Sequence, residues 1–233
     1  MKESLDREKI IVSWLDSIQK DAKALYLLGD VFDFWFEYKK VIPKGSVRFL
    51  GKLADLADNN IDVHLFVGNH DLWMHNYLTK EIGVTIHHKN ILIKEGGKEI
   101  LLGHGDGLGK GDYSYKILKK MFTSKICQWM FARIHPNFAF TLAHLWSKNS
   151  RKNKDSDFCN TNKEILYEYC KKQQSIKPID YYIFGHRHFP LEIKIDDRAK
   201  YINTGDWIKH YSYAVFNNKN IELKYFKNKS AKE

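Results

Sequence analysis

The chain has 233 residues, a hydrophobic content of 43% and a formal net charge of +10. This length fits one α/β domain with a sizeable core, and this hydrophobic content excludes a disordered chain. The positive charge favours partners that carry phosphate, such as nucleotides, nucleic acid or anionic lipid headgroups. No run of about 18 apolar residues is present, so the sequence predicts no membrane-spanning helix.

The three cysteines are Cys127, Cys159 and Cys170, and no pair of them has the C-x-x-C spacing. This pattern is typical of free thiols in a reducing compartment. The first residues lack the apolar core of a secretory signal. We therefore expect a cytoplasmic protein.

The apolar periodicity predicts alternating helices and strands, followed by strands alone. Helices are predicted over residues 5–20, 46–58 and 72–82, and strands over 24–28, 63–67, 91–94 and 99–102. An aromatic-rich helical insertion is predicted at about 112–175, and it includes a helix over 161–174. Strands are predicted at the end of the chain over 181–184, 190–195, 200–203, 211–216 and 221–226. This order indicates a single α/β domain over residues 1–233, built as a layered β-sandwich flanked by helices.

Four short polar clusters follow strand-like apolar runs. They are Gly29-Asp30, Gly68-Asn69-His70-Asp71, Gly103-His104 and Gly185-His186-Arg187-His188. Ligands gather beyond the carboxyl ends of strands in α/β sheets, so these clusters are expected to converge. Carboxylate, amide and imidazole groups together suit two transition-metal ions, which can promote displacement at phosphorus.

With these clusters the chain resembles the calcineurin-like metallophosphoesterases. Within them it is most similar to the UDP-2,3-diacylglucosamine diphosphatases of lipid A biosynthesis. The segment from Leu28 to Trp35, Leu-Gly-Asp-Val-Phe-Asp-Phe-Trp, carries this resemblance, as does His104-Gly105-Asp106-Gly107-Leu108. The segment Asn203-Thr204-Gly205-Asp206-Trp207 and the aromatic insertion fit as well.

The resemblance implies a role for each matching residue. Two divalent metal ions, most often Mn²⁺ in such enzymes, would be bound here. Asp30 would bridge both ions, His188 would bind the first, and the second would be bound by Asn69, His104 and His186. His70, with Asn69, would be catalytic and would contact the phosphate. The family reaction splits the pyrophosphate of UDP-2,3-diacylglucosamine into UMP and 2,3-diacylglucosamine 1-phosphate.

The resemblance also implies where a lipid-linked sugar nucleotide would bind. Asp112 and Tyr115 match positions at the sugar-nucleotide end of the pocket, and Ser150 and Arg151 match polar residues of a helical cap that receives acyl chains. From its residues alone the insertion is also compatible with an ordinary buried helical pair or with partial membrane insertion. We expect peripheral contact with the anionic cytoplasmic face of the inner membrane, and no nucleic acid partner.

The sequence departs from the family pattern in two ways. The family's Asp-x-His motif, expected before the first helix with the first strand, has no counterpart upstream of Asp30. His70 stands where the diphosphatases often carry Arg. Two alternatives therefore stay open: a metallophosphoesterase with another phosphoester substrate, and an inactive, non-catalytic form of the chain. For the missing motif, we favour a truncated or misassigned start over a natural pseudoenzyme.

Overall fold

Strands and helices follow each other largely as the periodicity predicts. The computed structural model describes residues 2–109, 113–143 and 164–226. The helices are α1 (Lys2–Ile18), α2 (Val47–Asp58), α3 (Tyr77–Glu81), α4 (Tyr113–Phe122), α5 (Lys125–Phe131), α6 (residues 136–143) and α7 (Ile165–Ile176). The strands are β1 (Ala24–Leu27), β2 (Asp62–Phe66), β3 (Thr85–His87), β4 (Ile91–Glu95), β5 (Lys98–Gly103), β6 (Tyr181–Phe184), β7 (Pro190–Lys194), β8 (Lys200–Thr204), β9 (Ser212–Phe216) and β10 (Ile221–Tyr225).

The strands form three hydrogen-bonded groups. One sheet has the order β1-β2-β3 and a second has the order β4-β5-β6-β8-β7, while β9 and β10 form an antiparallel hairpin. The pairs β1–β2, β2–β3, β5–β6 and β6–β8 are parallel. The carboxyl ends of β1 and β2 therefore lie at one edge of their sheet, and those of β5 and β6 lie together in the other.

Apolar side chains fill three layers between these elements. The amphipathic helices α1 and α2 bury Leu15 and Leu53 against the outer face of the first sheet, which contributes Leu65. The space between the sheets contains side chains such as Phe66 and Ile183. The third layer lies between α7 and the outer face of the five-stranded sheet. This arrangement confirms the predicted layered sandwich with flanking helices.

The third predicted helix is shorter than its periodicity indicates. The prediction covers residues 72–82, whereas α3 spans only Tyr77–Glu81. The carboxylate of Glu37 accepts hydrogen bonds from the backbone N–H groups of Asn76 and Tyr77, at 2.8 and 3.0 Å. A side chain from another loop therefore determines where this helix starts, and the hydrophobic periodicity of residues 72–82 cannot indicate that contact.

The described residues between β5 and β6 are mainly helical, as expected for the insertion. The last helix of this region, α7, buries Leu166 and Cys170 against Tyr182 and Tyr201 of the sheet. It therefore belongs to the outer layer of the sandwich. The exact domain organisation and the bounds of the insertion stay predictions.

Two of the edge strands line the same cavity in the part of the chain that the structure describes. There β1 pairs only with β2, and β9 pairs only with β10. Both strands line a cavity of about 1620 Å³ that extends to Asp30, His186 and His188. In the same described ranges, every helix is too short or too polar to cross a bilayer.

Candidate metal centre

Four loops that follow parallel strands bring the predicted polar clusters together. Asp30 follows β1, Asn69 follows β2, His104 follows β5 and His186 follows β6. His104 is buried at the centre, and its Nε2 lies 3.3 Å from Asp30 Oδ2, 3.3 Å from Asn69 Oδ1 and 3.2 Å from His186 Nδ1. The predicted convergence of these four residues is therefore seen in the structure.

Asp30, His104 and His186 form a group that could hold a cation. One ligand atom from each lies within 4.8 Å of the others. A divalent cation bound at about 2.0–2.2 Å keeps its nitrogen and oxygen ligands about 3 Å apart, which matches the spacing around His104 Nε2. Asp30 Oδ2 is buried and accepts no hydrogen bond from the described residues. A buried carboxylate oxygen in this state fits a metal ligand, because desolvation without a partner is unfavourable.

The loops that carry these ligands pack very closely. A Cβ atom on Gly68 would lie 2.3 Å from the backbone nitrogen of Asp30, so only glycine fits there. Asp30 has φ of 51°, and His186 and His188 have φ of 65° and 55°. Non-glycine residues rarely adopt this left-handed conformation, and clusters of them are typical of functional sites.

Buried hydrogen bonds orient the ligands. His104 Nδ1 lies 2.7 Å from the carbonyl oxygen of Leu28, so Nδ1 donates its proton there and Nε2 points to the site. The buried carboxylate of Asp71 accepts hydrogen bonds from the N–H groups of Gly68 and Val31, at 2.7 and 2.9 Å. Asp71 thus joins the loop after β2 to the loop after β1, and so positions the neighbouring ligands.

The charges at the site are strongly coupled. Burial alone would lower the pKa of His104, but the charge of the neighbouring Asp30 carboxylate raises that pKa to about 9. Burial alone would raise the pKa of Asp30, yet His104 and His70 lower it below its usual value. Burial and the charge of Asp30 raise the pKa of Asp71 to about 7. The site therefore stabilises positive charge beside Asp30.

The other predicted site residues are placed differently. His70 and His188 line the same cavity as Asp30 and His186, and the backbone N–H of His70 donates to Asp30 Oδ1 at 2.8 Å. Both histidines lie outside the compact group of three. Asp112, Ser150 and Arg151 lie outside the described residues, as does the side chain of Tyr115.

Two residues near the site were not singled out by sequence reasoning. The buried carboxylate of Glu164 lies 3.1 Å from Arg187 Nε, and Asp106 accepts a hydrogen bond of 2.6 Å from Lys119 Nζ. Asp106 lies within the motif His104-Gly105-Asp106-Gly107-Leu108, so the sequence could have identified it as a site residue. Glu164 precedes a helix in a polar stretch, and nothing in its local pattern distinguishes it.

An aromatic cluster links the insertion to the loop after β1. Phe34, four residues after Asp30, has its ring centroid 5.9 Å from that of Phe131 in α5 and 5.8 Å from that of Phe140 in α6. The indole N–H of Trp73 donates to the carbonyl oxygen of Phe122 at 2.6 Å. These contacts place the helical insertion beside the candidate metal centre.

The insertion also exposes large apolar side chains. Ile117 and Ile126 are each 71% exposed, Phe138 is 66% exposed, and Trp129 and Met130 are each 59% exposed. Isolated apolar residues on a surface are ordinary, but several on neighbouring helices indicate an interaction surface. Basic residues of these helices and of the turn after α5 accompany them: Lys119, Lys120, Lys125 and Arg133.

Comparisons with known proteins agree with this geometry. The family model for calcineurin-like phosphoesterase matches residues 7–190. A UDP-2,3-diacylglucosamine hydrolase from Porphyromonas gingivalis is 36% identical over 93% of this chain and 88% of its own length. Hydrolases with the same name from Pseudomonas putida and Edwardsiella ictaluri are 25% and 27% identical, over 88% and 87% of this chain and 86% and 79% of their own lengths.

Proposed function

Because the chain belongs to the calcineurin-like phosphoesterase family, we propose that it hydrolyses UDP-2,3-diacylglucosamine at its pyrophosphate. Water adds across the P–O–P bond, so that its oxygen joins one phosphorus and the bridging oxygen leaves with the other phosphate. The products are UMP and 2,3-diacylglucosamine 1-phosphate. The observation that carries this proposal is the group of Asp30, His104 and His186 beside an exposed aromatic and apolar insertion.

The residues of the site would bind the metal ions that promote this hydrolysis. Asp30, Asn69, His104, His186 and His188 would hold two divalent cations, which we propose are Mn²⁺. When bound, such ions polarise phosphoryl oxygens and lower the pKa of water. The hydrogen bond from His104 Nδ1 to Leu28 fixes its ring and leaves Nε2 as a ligand atom.

His70 would contact the phosphoryl group on which charge develops. It lies in the loop that also carries Asn69, and its backbone N–H is bonded to Asp30. A donor at this place stabilises negative charge more in the transition state than in the bound substrate. The proposed sugar-nucleotide contacts from Asp112, Tyr115, Ser150 and Arg151 rest on the family resemblance alone.

The helical insertion would receive the acyl chains and bring the enzyme to the membrane. Exposed apolar residues of α4, α5 and α6 suit acyl chains, and Lys120 and Lys125 suit anionic headgroups, whereas Lys119 pairs with Asp106. We therefore propose a cytoplasmic protein that binds the inner membrane peripherally.

An assay with two substrates tests the proposal. The purified chain, freed of metal and then supplied with Mn²⁺, is given UDP-2,3-diacylglucosamine in detergent micelles or, separately, bis(p-nitrophenyl) phosphate. We expect release of UMP from the lipid substrate, and loss of that activity in Asp30→Asn. Hydrolysis of the soluble diester alone would overturn the lipid substrate.

A second candidate is hydrolysis of another phosphoester, and the histidine at position 70 favours it. The variant His70→Arg separates the two candidates. If the lipid-linked nucleotide is the substrate, His70→Arg should retain or improve its hydrolysis relative to the soluble diester. A wild type that hydrolyses only the soluble diester, with lipid hydrolysis gained in His70→Arg, would favour the second candidate. The metal content of the wild type, measured by mass spectrometry, tests whether two ions bind per chain.

A further inference from the structure

A buried carboxylate stands behind the metal centre, at the start of α7. Glu164 is 3% exposed, and its side chain accepts a hydrogen bond from the backbone N–H of Leu166 at 3.4 Å. It also lies 3.1 Å from Arg187 Nε and accepts from Tyr201 Oη at 3.4 Å. A charge this deeply buried is stable only when it is paired, so the carboxylate of Glu164 depends on Arg187.

The network continues to the backbone of the ligand loop after β6. Tyr201 and Asn203 are both fully buried in β8. Asn203 Nδ2 donates to Tyr201 Oη at 3.4 Å and to the carbonyl oxygen of Gly185. The backbone N–H of Arg187 donates to the same carbonyl oxygen at 2.7 Å. The polar chain from Glu164 therefore reaches both sides of the turn that contains His186.

This turn requires support from its surroundings. His186 and His188 both have left-handed backbone conformations, which are unfavourable for residues with a side chain. Such conformations persist only where neighbouring contacts determine them fully. The turn is also closely packed at Gly185, because a Cβ atom there would lie 2.9 Å from the carbonyl oxygen of Leu28.

We propose that Glu164 is a positioning residue of the metal centre, which holds the turn of His186 and His188 through Arg187, Tyr201 and Asn203. It connects the helical layer on the outer face of the sheet to the metal ligands. The inference rests on the proposed metal-binding role of these histidines and is independent of the identity of the substrate.

The test compares two glutamates of the same region. Glu164→Gln keeps an acceptor for Leu166 and Tyr201 but removes the charge that pairs with Arg187. Glu168→Gln is the matched control, because Glu168 lies on the exposed side of α7 and pairs only loosely with Lys171, at 3.5 Å. Mn²⁺ affinity is measured by calorimetry on metal-free protein, together with the thermal unfolding of the metal-free protein.

We expect Glu164→Gln to weaken Mn²⁺ binding by about 10- to 100-fold, the usual effect of losing a residue that orients a ligand. Glu168→Gln should bind Mn²⁺ as the wild type does. The double variant Glu164→Gln with Arg187→Gln should bind Mn²⁺ about as weakly as Glu164→Gln alone, because Glu164 acts on the turn through Arg187. Wild-type affinity in Glu164→Gln, with or without lowered thermal stability, would overturn the proposal.

Two further measurements keep the result decisive. If Glu164→Gln does not fold, Glu164→Asp retains the charge on a shorter side chain and should show a smaller loss of affinity. The metal readout uses no substrate, so a failure of the lipid substrate leaves it intact. If Glu164→Gln does not fold and the folded Glu164→Asp binds Mn²⁺ with wild-type affinity, the proposal is overturned. Glu164 would then be needed for folding only.

Discussion

The carboxylate of Asp71 accepts a hydrogen bond of 2.9 Å from the backbone N–H of Val31, forty positions away in the sequence. Its other oxygen accepts from the N–H of Gly68 at 2.7 Å. A carboxylate has two acceptor oxygens, whereas an amide has one acceptor and one donor. The connection between the two ligand loops therefore requires an acid at position 71.

We predict that Asp71→Asn loses about 1–3 kcal/mol of stability, because its amide nitrogen would oppose one buried N–H donor. Metal affinity should also fall by about 10- to 100-fold, since Asp71 orients the ligand loops. Urea unfolding and calorimetry measure the two effects. The control is Asp58→Asn at the exposed end of α2, which should change neither quantity appreciably. Equal affinities in the two variants would contradict the role of Asp71.

Glycine at position 68 allows the loops after β1 and β2 to touch. In Gly68→Ala the added methyl group would lie 2.3 Å from both the backbone nitrogen and Oδ1 of Asp30. We expect about 1–3 kcal/mol of destabilisation from this overlap, together with loss of metal binding. Thermal unfolding and metal titration would measure them.

The matched variant for Gly68→Ala is Gly51→Ala in the interior of α2. A Cβ atom at Gly51 meets nothing within 4 Å. Since glycine lowers helix stability, this variant should gain about 0.5–1 kcal/mol. If both alanine variants changed stability in the same direction, the close approach of the two loops would not be the cause.

The sequence predicted the ligand loops because strand ends are recognisable locally. Asp30, Asn69, His104 and His186 each follow an apolar run, and parallel pairing brings such ends together. Glu164 gave no such signal, because its role depends on the position of Arg187 and on a tyrosine from β8. The short helix α3 was mispredicted for a similar reason, since the carboxylate of Glu37 determines where that helix begins.

A histidine pair between β2 and β3 makes stability depend on pH. His64 Nδ1 lies 3.0 Å from His87 Nε2, and the ring of His87 stacks on Phe66. Burial lowers the pKa of both histidines, and the neighbouring His64 lowers that of His87 further. The two histidines therefore bind protons more readily in the unfolded chain than in the folded chain. The stability that they contribute as neutral side chains is complete above about pH 6.5 and is lost as the pH falls below that value.

We predict that His87→Phe keeps the stacking on Phe66 and weakens this pH dependence. Urea unfolding of wild type and variant at pH 7.5, 6.5 and 5.5 measures the change of stability with pH. The difference between the two proteins removes the effect of groups that titrate equally in both. The wild type should lose more stability than His87→Phe between pH 7.5 and 5.5. His135→Gln, at an exposed position, is the control and should follow the wild type. Parallel curves for wild type and His87→Phe would refute the prediction.

The apolar surface of α5 provides the last prediction. Ile126 is 71% exposed, and Trp129 is 59% exposed beneath the guanidinium of Arg133, which lies 4.9 Å from the centre of its ring. If this surface enters the membrane, each large side chain contributes about 1.5–3 kcal/mol when fully buried in lipid. If the side chain is only partly buried in lipid, its truncation should lower the affinity for vesicles by about tenfold.

We therefore expect Ile126→Ser and Trp129→Ser each to weaken binding to anionic lipid vesicles, measured by co-sedimentation. Ile176→Ser is the matched control, because Ile176 is 69% exposed at the end of α7. The two α5 variants should raise KM for the lipid-linked nucleotide while hydrolysis of a soluble diester stays unchanged, since neither residue lies in the metal centre. Equal vesicle binding by all three variants would show that exposure alone, rather than this surface, determines membrane affinity. A loss of soluble-diester hydrolysis would instead indicate that α5 supports the structure of the site.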